Sequence, residues 1–103
     1  MHGTWTGSVS SEDGTGFGSL QIVQTEMGLQ ITMTIPDLPL TATGTGSLVD
    51  RTFRADLTFT RECPGTITLT GNLRSDTELQ GTARMVDCNA EVTGSFNFIL
   101  RSL

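Results

Sequence analysis

Few residues in this chain could carry acid–base or nucleophilic chemistry, and the sequence keeps them apart. The single histidine is His2, so neither a Ser-His-Asp triad nor a pair of histidines can form. Most acidic residues fall in turn-like segments, where a solvated carboxylate is the usual occupant. Asp56 and Glu91 lie in strand-like segments, on the polar face of the alternation. We therefore predict that the chain is not an enzyme, uses no cofactor and holds no metal ion.

The two cysteines are the one pair whose spacing indicates chemistry. Cys63 and Cys88 lie at equal distances from a predicted turn at Ser75-Asp76, so we expect them to face each other across neighbouring strands. Pairing the apolar residues of those strands with each other requires a register that differs by one residue from the register that pairs the cysteines. A one-residue bulge at Cys63-Pro64-Gly65 is expected to absorb this difference. A disulfide is favoured over two reduced thiols and indicates an oxidising compartment. Two cysteines without a nearby histidine do not complete a zinc site.

Composition limits the partners. The 103 residues are predicted to form one domain, 1–103, large enough for a single core. The net charge is −5 and the arginines are scattered singly, which argues against nucleic acid or an anionic membrane as partners. The longest apolar run, Phe98-Ile99-Leu100, is too short for a membrane-spanning helix. We expect a monomer that is secreted or periplasmic, or tethered as part of a lipoprotein.

Strands must position any site, because apolar and polar residues alternate along almost the whole chain. Turn residues divide this pattern into eight strands, predicted at 3–10, 17–25, 29–35, 40–48, 52–60, 66–73, 77–86 and 91–101. No segment repeats with helical spacing. The short connections favour an all-β, eight-stranded antiparallel up-and-down β-barrel over a sandwich. The first and last strands are expected to pair, with Arg101 stacked on Trp5 as a barrel closure.

Small residues on the predicted inner face leave two interpretations open. Glycine in a strand marks either tight coiling of a barrel or space for something else to approach. In the second case the interior would bind a small neutral hydrophobic molecule, since no charged residue is predicted inside. The predicted ligand-binding residues are Met33, Gly44, Gly46, Ala83, Gly94 and Phe96. The alternatives are a structural or accessory domain with a filled core, and a barrel cyclase that acts by confining its substrate.

The two ends of the chain carry a family resemblance. Gly3-Thr4-Trp5-Thr6-Gly7 and the segment from Gly94 to Arg101 resemble the end motifs of calycin barrels. The chain is most similar to short lipocalin-like domains of bacterial secreted proteins and lipoproteins, which also carry paired cysteines late in the chain. It lacks the C-terminal helix of lipocalins and the Trp and Tyr ligand contacts of avidins, so biotin binding is not implied. The resemblance implies a barrel fold and a secreted setting.

Overall fold

Alternating apolar and polar residues fold the chain into a closed barrel of eight antiparallel strands. A computed structural model describes residues 2–12, 14–37, 39–60 and 63–102. The strands are β1 (Gly3–Ser11), β2 (Gly14–Thr25), β3 (Gly28–Ile35), β4 (Leu40–Val49), β5 (Thr52–Thr60), β6 (Pro64–Ser75), β7 (Glu78–Asp87) and β8 (Glu91–Ser102). Each strand pairs with the next, and β8 pairs with β1. The described ranges contain no helix, and hence none able to cross a membrane. The predicted fold class is confirmed.

Burial follows the alternation along each strand. In β5 every second residue from Phe53 to Phe59 is buried, whereas Arg54, Asp56 and Thr58 are exposed. The same division gives the barrel an apolar interior in which no described charged or polar residue is buried. Because one face of every strand is buried, a one-residue slip would expose the whole apolar set, and this fixes the register.

The pairing of β6 and β7 shows where the offset expected near the cysteines lies. The register runs without interruption from Gly65 to Leu73, and it shifts only between Leu73 and Ser75, beside the turn. Beyond the last β6–β7 pair, Gly65 with Asp87, Cys63 is two residues further along and Cys88 only one, so the disulfide joins the strands with the one-residue offset expected at Cys63-Pro64-Gly65. The offset lies just outside the paired residues of β6 and β7 and not as a bulge within their ladder.

The junction of β1 and β8 closes the barrel. Trp5 faces Leu100 across this junction, is 1% exposed, and joins the core. A register shift between Thr4 and Trp5 turns the exposed Arg101 to the outer surface, where its Nε donates a hydrogen bond of 2.8 Å to Thr6 Oγ1. The expected stacking of Arg101 on Trp5 is thus replaced by a contact on the opposite face of the wall.

Candidate ligand-binding cavity at one end of the barrel

The two ends of the barrel are packed differently. The up-and-down order places the β1–β2, β3–β4, β5–β6 and β7–β8 turns at one end, which we call the open end. The other three turns, the start of β1 and the end of β8 lie at the far end. Large side chains fill the interior towards the far end, where Trp5, Phe53, Leu79 and Phe98 are each less than 2% exposed.

A cavity of about 200 Å³ occupies the interior at the open end. Its lining is mainly apolar and comes from seven of the eight strands and from the β3–β4 turn. The lining residues are Val9, Ser11, Gly14, Thr15, Gly16, Met33, Ile35, Asp37, Leu40, Ile67, Ala83, Met85, Val92 and Gly94. A cavity of this size and polarity suits an uncharged organic group and offers it few fixed hydrogen-bond partners.

The cavity exists because the inward positions of β1, β2 and β8 carry small residues at the open end, whereas inward positions towards the far end carry large ones. Strand β2 begins at Gly14, three residues before the predicted start at 17, and its first inward positions are glycines. A Cβ built on Gly16 would lie 3.5 Å from Ile35 Cγ2. Apart from Gly16 and its two chain neighbours, no other heavy atom of the described residues would lie within 4 Å of it. Gly16 therefore faces space that a side chain could fill.

The predicted ligand-binding residues divide into two groups. Met33, Ala83 and Gly94 line the cavity. Gly44 and Gly46 are not among the lining residues, and a Cβ on either would overlap the β5 backbone. These two glycines permit close approach of β4 and β5, which is the coiling alternative.

The third residue outside the cavity is Phe96. Its side chain is 4% exposed and packs against Phe98, with ring centroids 5.6 Å apart. Phe96 belongs to the hydrophobic core and is not among the residues that line the cavity. It also contributes to a shallow surface depression lined by polar residues such as Ser8, Asn72 and Asn97.

The sequence analysis missed most of the lining residues, because it selected small inward residues without considering at which end of the barrel each one lies. Val9, Ile35, Met85 and Val92 are inward residues next to the open-end turns. Counting inward positions from those turns would have found them. The vacant space itself depends on how the opposing side chains pack, which the alternation does not encode.

One charged residue stands in the described lining. Asp37 lies in the β3–β4 turn, is exposed, and sits at the rim of the cavity. No described charged residue is buried in the interior, in agreement with the prediction, and Asp37 adds a charge at the mouth. The described residues contain no group of three or more His, Cys, Asp or Glu side chains able to hold a metal ion.

A disulfide cross-links part of the rim at the open end. Cys63 and Cys88 are joined with an S–S distance of 2.01 Å and a Cα–Cα distance of 6.2 Å. The bond ties the β5–β6 connection to the β7–β8 turn. In that turn Asp87 Oδ1 accepts hydrogen bonds of 2.8 Å from the backbone N–H groups of Asn89 and Ala90. The strands that present Ile67 and Met85 to the cavity are thus cross-linked next to its mouth.

Comparisons with solved structures agree with this architecture. EF1p2_mFAP2b bound to DFHBI aligns with a TM-score of 0.78 at 17% identity, covering 97% of this chain and 93% of that one. The redesigned β-barrel mFAP1 bound to DFHBI gives 0.70 at 22% identity, covering 97% and 94%. A de novo designed fluorescence-activating β-barrel gives 0.68 at 16% identity, covering 98% and 94%.

At these identities the likeness establishes the fold alone: the chain is a small eight-stranded antiparallel β-barrel. The three structures are designed or redesigned barrels, so they support the barrel part of the calycin resemblance and not a lipocalin relationship in particular. No family model and no curated protein matches the chain.

Proposed function

We propose that this chain is a non-catalytic binding module that holds one small hydrophobic molecule in the open-end cavity. The cavity of about 200 Å³, with its mainly apolar lining, is the observation that carries the proposal. Two of the structurally similar barrels, EF1p2_mFAP2b and mFAP1, are bound to DFHBI, so the same fold accommodates a small ligand in other sequences. The described lining contains no histidine or cysteine, and its one carboxylate is at the rim, which favours binding over catalysis.

The size of the cavity sets the size of the ligand and the affinity. An apolar protein cavity of roughly 150 Å³ accepts benzene, so about 200 Å³ suits an apolar body of about ten heavy atoms, such as naphthalene. At about 0.5–0.7 kcal/mol per heavy atom, such a body contributes about 5–7 kcal/mol of binding free energy. This corresponds to a Kd between roughly 10 µM and 0.2 mM. Met33 and Met85 add soft, adaptable side chains, so we expect modest selectivity among bodies of this size.

Methionine methyl NMR can locate the ligand. We propose titrating protein labelled with ¹³C at the methionine methyl groups with 2-(2-naphthyl)ethanol, an uncharged molecule with a naphthalene body. The methyl signals of Met33 and Met85, which line the cavity, should shift and saturate together. Met27 serves as an internal control, because it is 99% exposed in the β2–β3 turn at the far end.

The outcomes separate binding from the alternative of a filled structural core. Saturable shifts at Met33 and Met85, with Met27 unchanged, would support the proposal. No saturation up to about 2 mM ligand, ten times the weakest expected Kd, would refute the proposal and favour a structural domain. Equal shifts at all three methyl groups would indicate surface adsorption and would count against the proposal as well.

We further propose that the protein works in an oxidising compartment, secreted or periplasmic, as the Cys63–Cys88 disulfide and the lipocalin-like end motifs suggest. We also propose that it is monomeric, since a closed barrel leaves no free strand edge for pairing. Thiol alkylation and size-exclusion chromatography of protein purified from the periplasm test both points. Two reactive thiols would refute the first, and a dimer at micromolar concentration would refute the second.

A further inference from the structure

The rim of the cavity carries a carboxylate that no described residue uses. Asp37 has no hydrogen bond or ion pair with any residue that the structure describes. Of the other described acidic residues at the open end, Asp87 and Glu91 are engaged, and Glu12, exposed in the β1–β2 turn, is not part of the cavity lining. Asp87 caps its own turn, and Glu91 Oε1 accepts a hydrogen bond of 2.7 Å from Arg84 Nε on the outer wall. Asp37 is therefore available to a ligand.

The local sequence holds Asp37 in place. It follows Pro36 directly and precedes Pro39 by two residues, in a turn that connects two buried inward side chains, Ile35 and Leu40. Proline fixes one backbone dihedral at each position, which restricts the turn. Ile35 and Leu40 themselves line the cavity, so the turn places Asp37 next to the apolar wall that would hold a ligand body.

No described cation offsets this charge at the mouth. The described lining contains no arginine, and the formal net charge of the protein is −5. Arg84 lies nearest to the open end among the described arginines that form ion pairs, but it points outward and is paired with Glu91. An anionic ligand would therefore meet like charge at the mouth, whereas a cationic one would meet opposite charge.

We propose that the preferred ligand is an amphiphile with an apolar body and a protonated amine, the body filling the cavity and the amine lying at the mouth beside Asp37. This inference rests on the proposed function, and it adds the chemistry of the polar end of the ligand. An amine at the mouth keeps most of its hydration, so the desolvation penalty of a buried charge does not arise. An exposed pair of opposite charges strengthens binding by about 1.4- to 5-fold.

Three ligands with the same body test the inference: 2-(2-naphthyl)ethylamine, 2-(2-naphthyl)ethanol and 2-naphthylacetate. Their Kd values would be measured by calorimetry at 0.15 M salt, where charges more than about 8 Å apart are largely screened. We expect the amine to bind about 1.4- to 5-fold more tightly than the alcohol. The carboxylate should bind more weakly than the alcohol by a similar factor, which makes the amine-to-carboxylate ratio roughly 2- to 30-fold.

Two variants with the same net charge separate the local effect from the overall charge. In Asp37→Asn the amine and the alcohol should bind with equal Kd. In Asp76→Asn the preference for the amine should persist, because Asp76 is a 98% exposed carboxylate in the β6–β7 turn at the far end.

Three outcomes are decisive. If the alcohol binds but the amine binds no more tightly, the inference is overturned while the proposed function stands. A preference that survives Asp37→Asn, or one that disappears equally in both variants, also overturns it. If the alcohol itself does not bind, the proposed function fails and the inference fails with it.

Discussion

Gly16 is the position at which the cavity can be filled without disturbing the barrel, and Gly16→Val tests whether the space is real. A Cβ at this position would lie 3.5 Å from Ile35 Cγ2, which is an ordinary van der Waals contact. This is its nearest neighbour among the described residues once Gly16 and the two adjoining residues are left out. Gly16 is not among the glycines with positive φ, so valine can adopt its backbone conformation. The new side chain should enter the cavity, raise the free energy of unfolding and block ligand binding.

The expected gain in stability has two parts. Replacing glycine in a strand by a residue with a Cβ contributes about 0.5–1 kcal/mol, since glycine loses more backbone entropy on folding. Valine adds three carbons at about 0.8 kcal/mol each when fully buried, and about half of that when half-buried like Gly16. The sum is about 2–3 kcal/mol. For a domain of this size it corresponds to a rise in Tm of roughly 8–24 °C.

Urea unfolding followed by fluorescence supplies the measurement, because Trp5 is the only tryptophan and is buried in the core. Gln21→Val is the matched control, since it adds an aliphatic side chain to β2 on the exposed outer face. The control should change stability by less than about 0.5 kcal/mol and leave ligand binding intact. A Gly16→Val protein that is less stable than wild type would show that the space is already occupied by packing. A more stable variant that still binds the naphthyl alcohol with unchanged Kd would show that the ligand binds elsewhere.

Three other substitutions test the rest of the structural argument. Replacing both Cys63 and Cys88 by alanine should lower the free energy of unfolding by about 3.5 kcal/mol, the loop-closure value for their separation of 25 residues. A loss below about 1 kcal/mol in denaturant titration would contradict that account. Trp5→Ala should cost about 3–5 kcal/mol. Trp5→Phe should cost far less, because it removes a buried indole N–H that has no hydrogen-bond partner among the described residues and whose burial costs about 1–3 kcal/mol. Equal losses in thermal unfolding would refute this. Gly44→Ala should destabilise by about 1–3 kcal/mol, since its Cβ would collide with the backbone of Asp56. A neutral effect would place Gly44 next to open space instead.

The barrel itself could be predicted because it is specified by patterns within single strands and turns, which can be recognised in the sequence. Alternation in β5, from Phe53 to Phe59, assigns one face to the interior and one to solvent, and each neighbouring strand repeats the pattern. Turn residues divided the chain at nearly the right positions, and the short turns left the up-and-down order as the simplest closure. The Cys63–Cys88 pairing followed from the same hairpin geometry.

What could not be predicted depends on contacts between distant strands. Gly16 and Gly44 are both inward glycines in alternating strands, yet one faces space and the other faces the backbone of β5. Their difference arises from how the barrel coils, which sequence spacing does not show. The bulge on β8 that turns Arg101 outward also depends on closure between the first and last strands.

The disulfide lies at the end of the barrel whose interior is less completely filled. A closed apolar void of 200 Å³ costs about 5 kcal/mol relative to a filled core, at about 24 cal/mol per Å³, and an open mouth that admits water costs less. The disulfide contributes about 3.5 kcal/mol and lies at the open end, where Gly16 and Gly94 leave the interior unfilled. At the far end Trp5 and Phe53 fill the core, and no described disulfide is present. A barrel selected only for stability would gain by filling the cavity. Space at one end with a cross-link beside it is the pattern that the proposed binding function predicts.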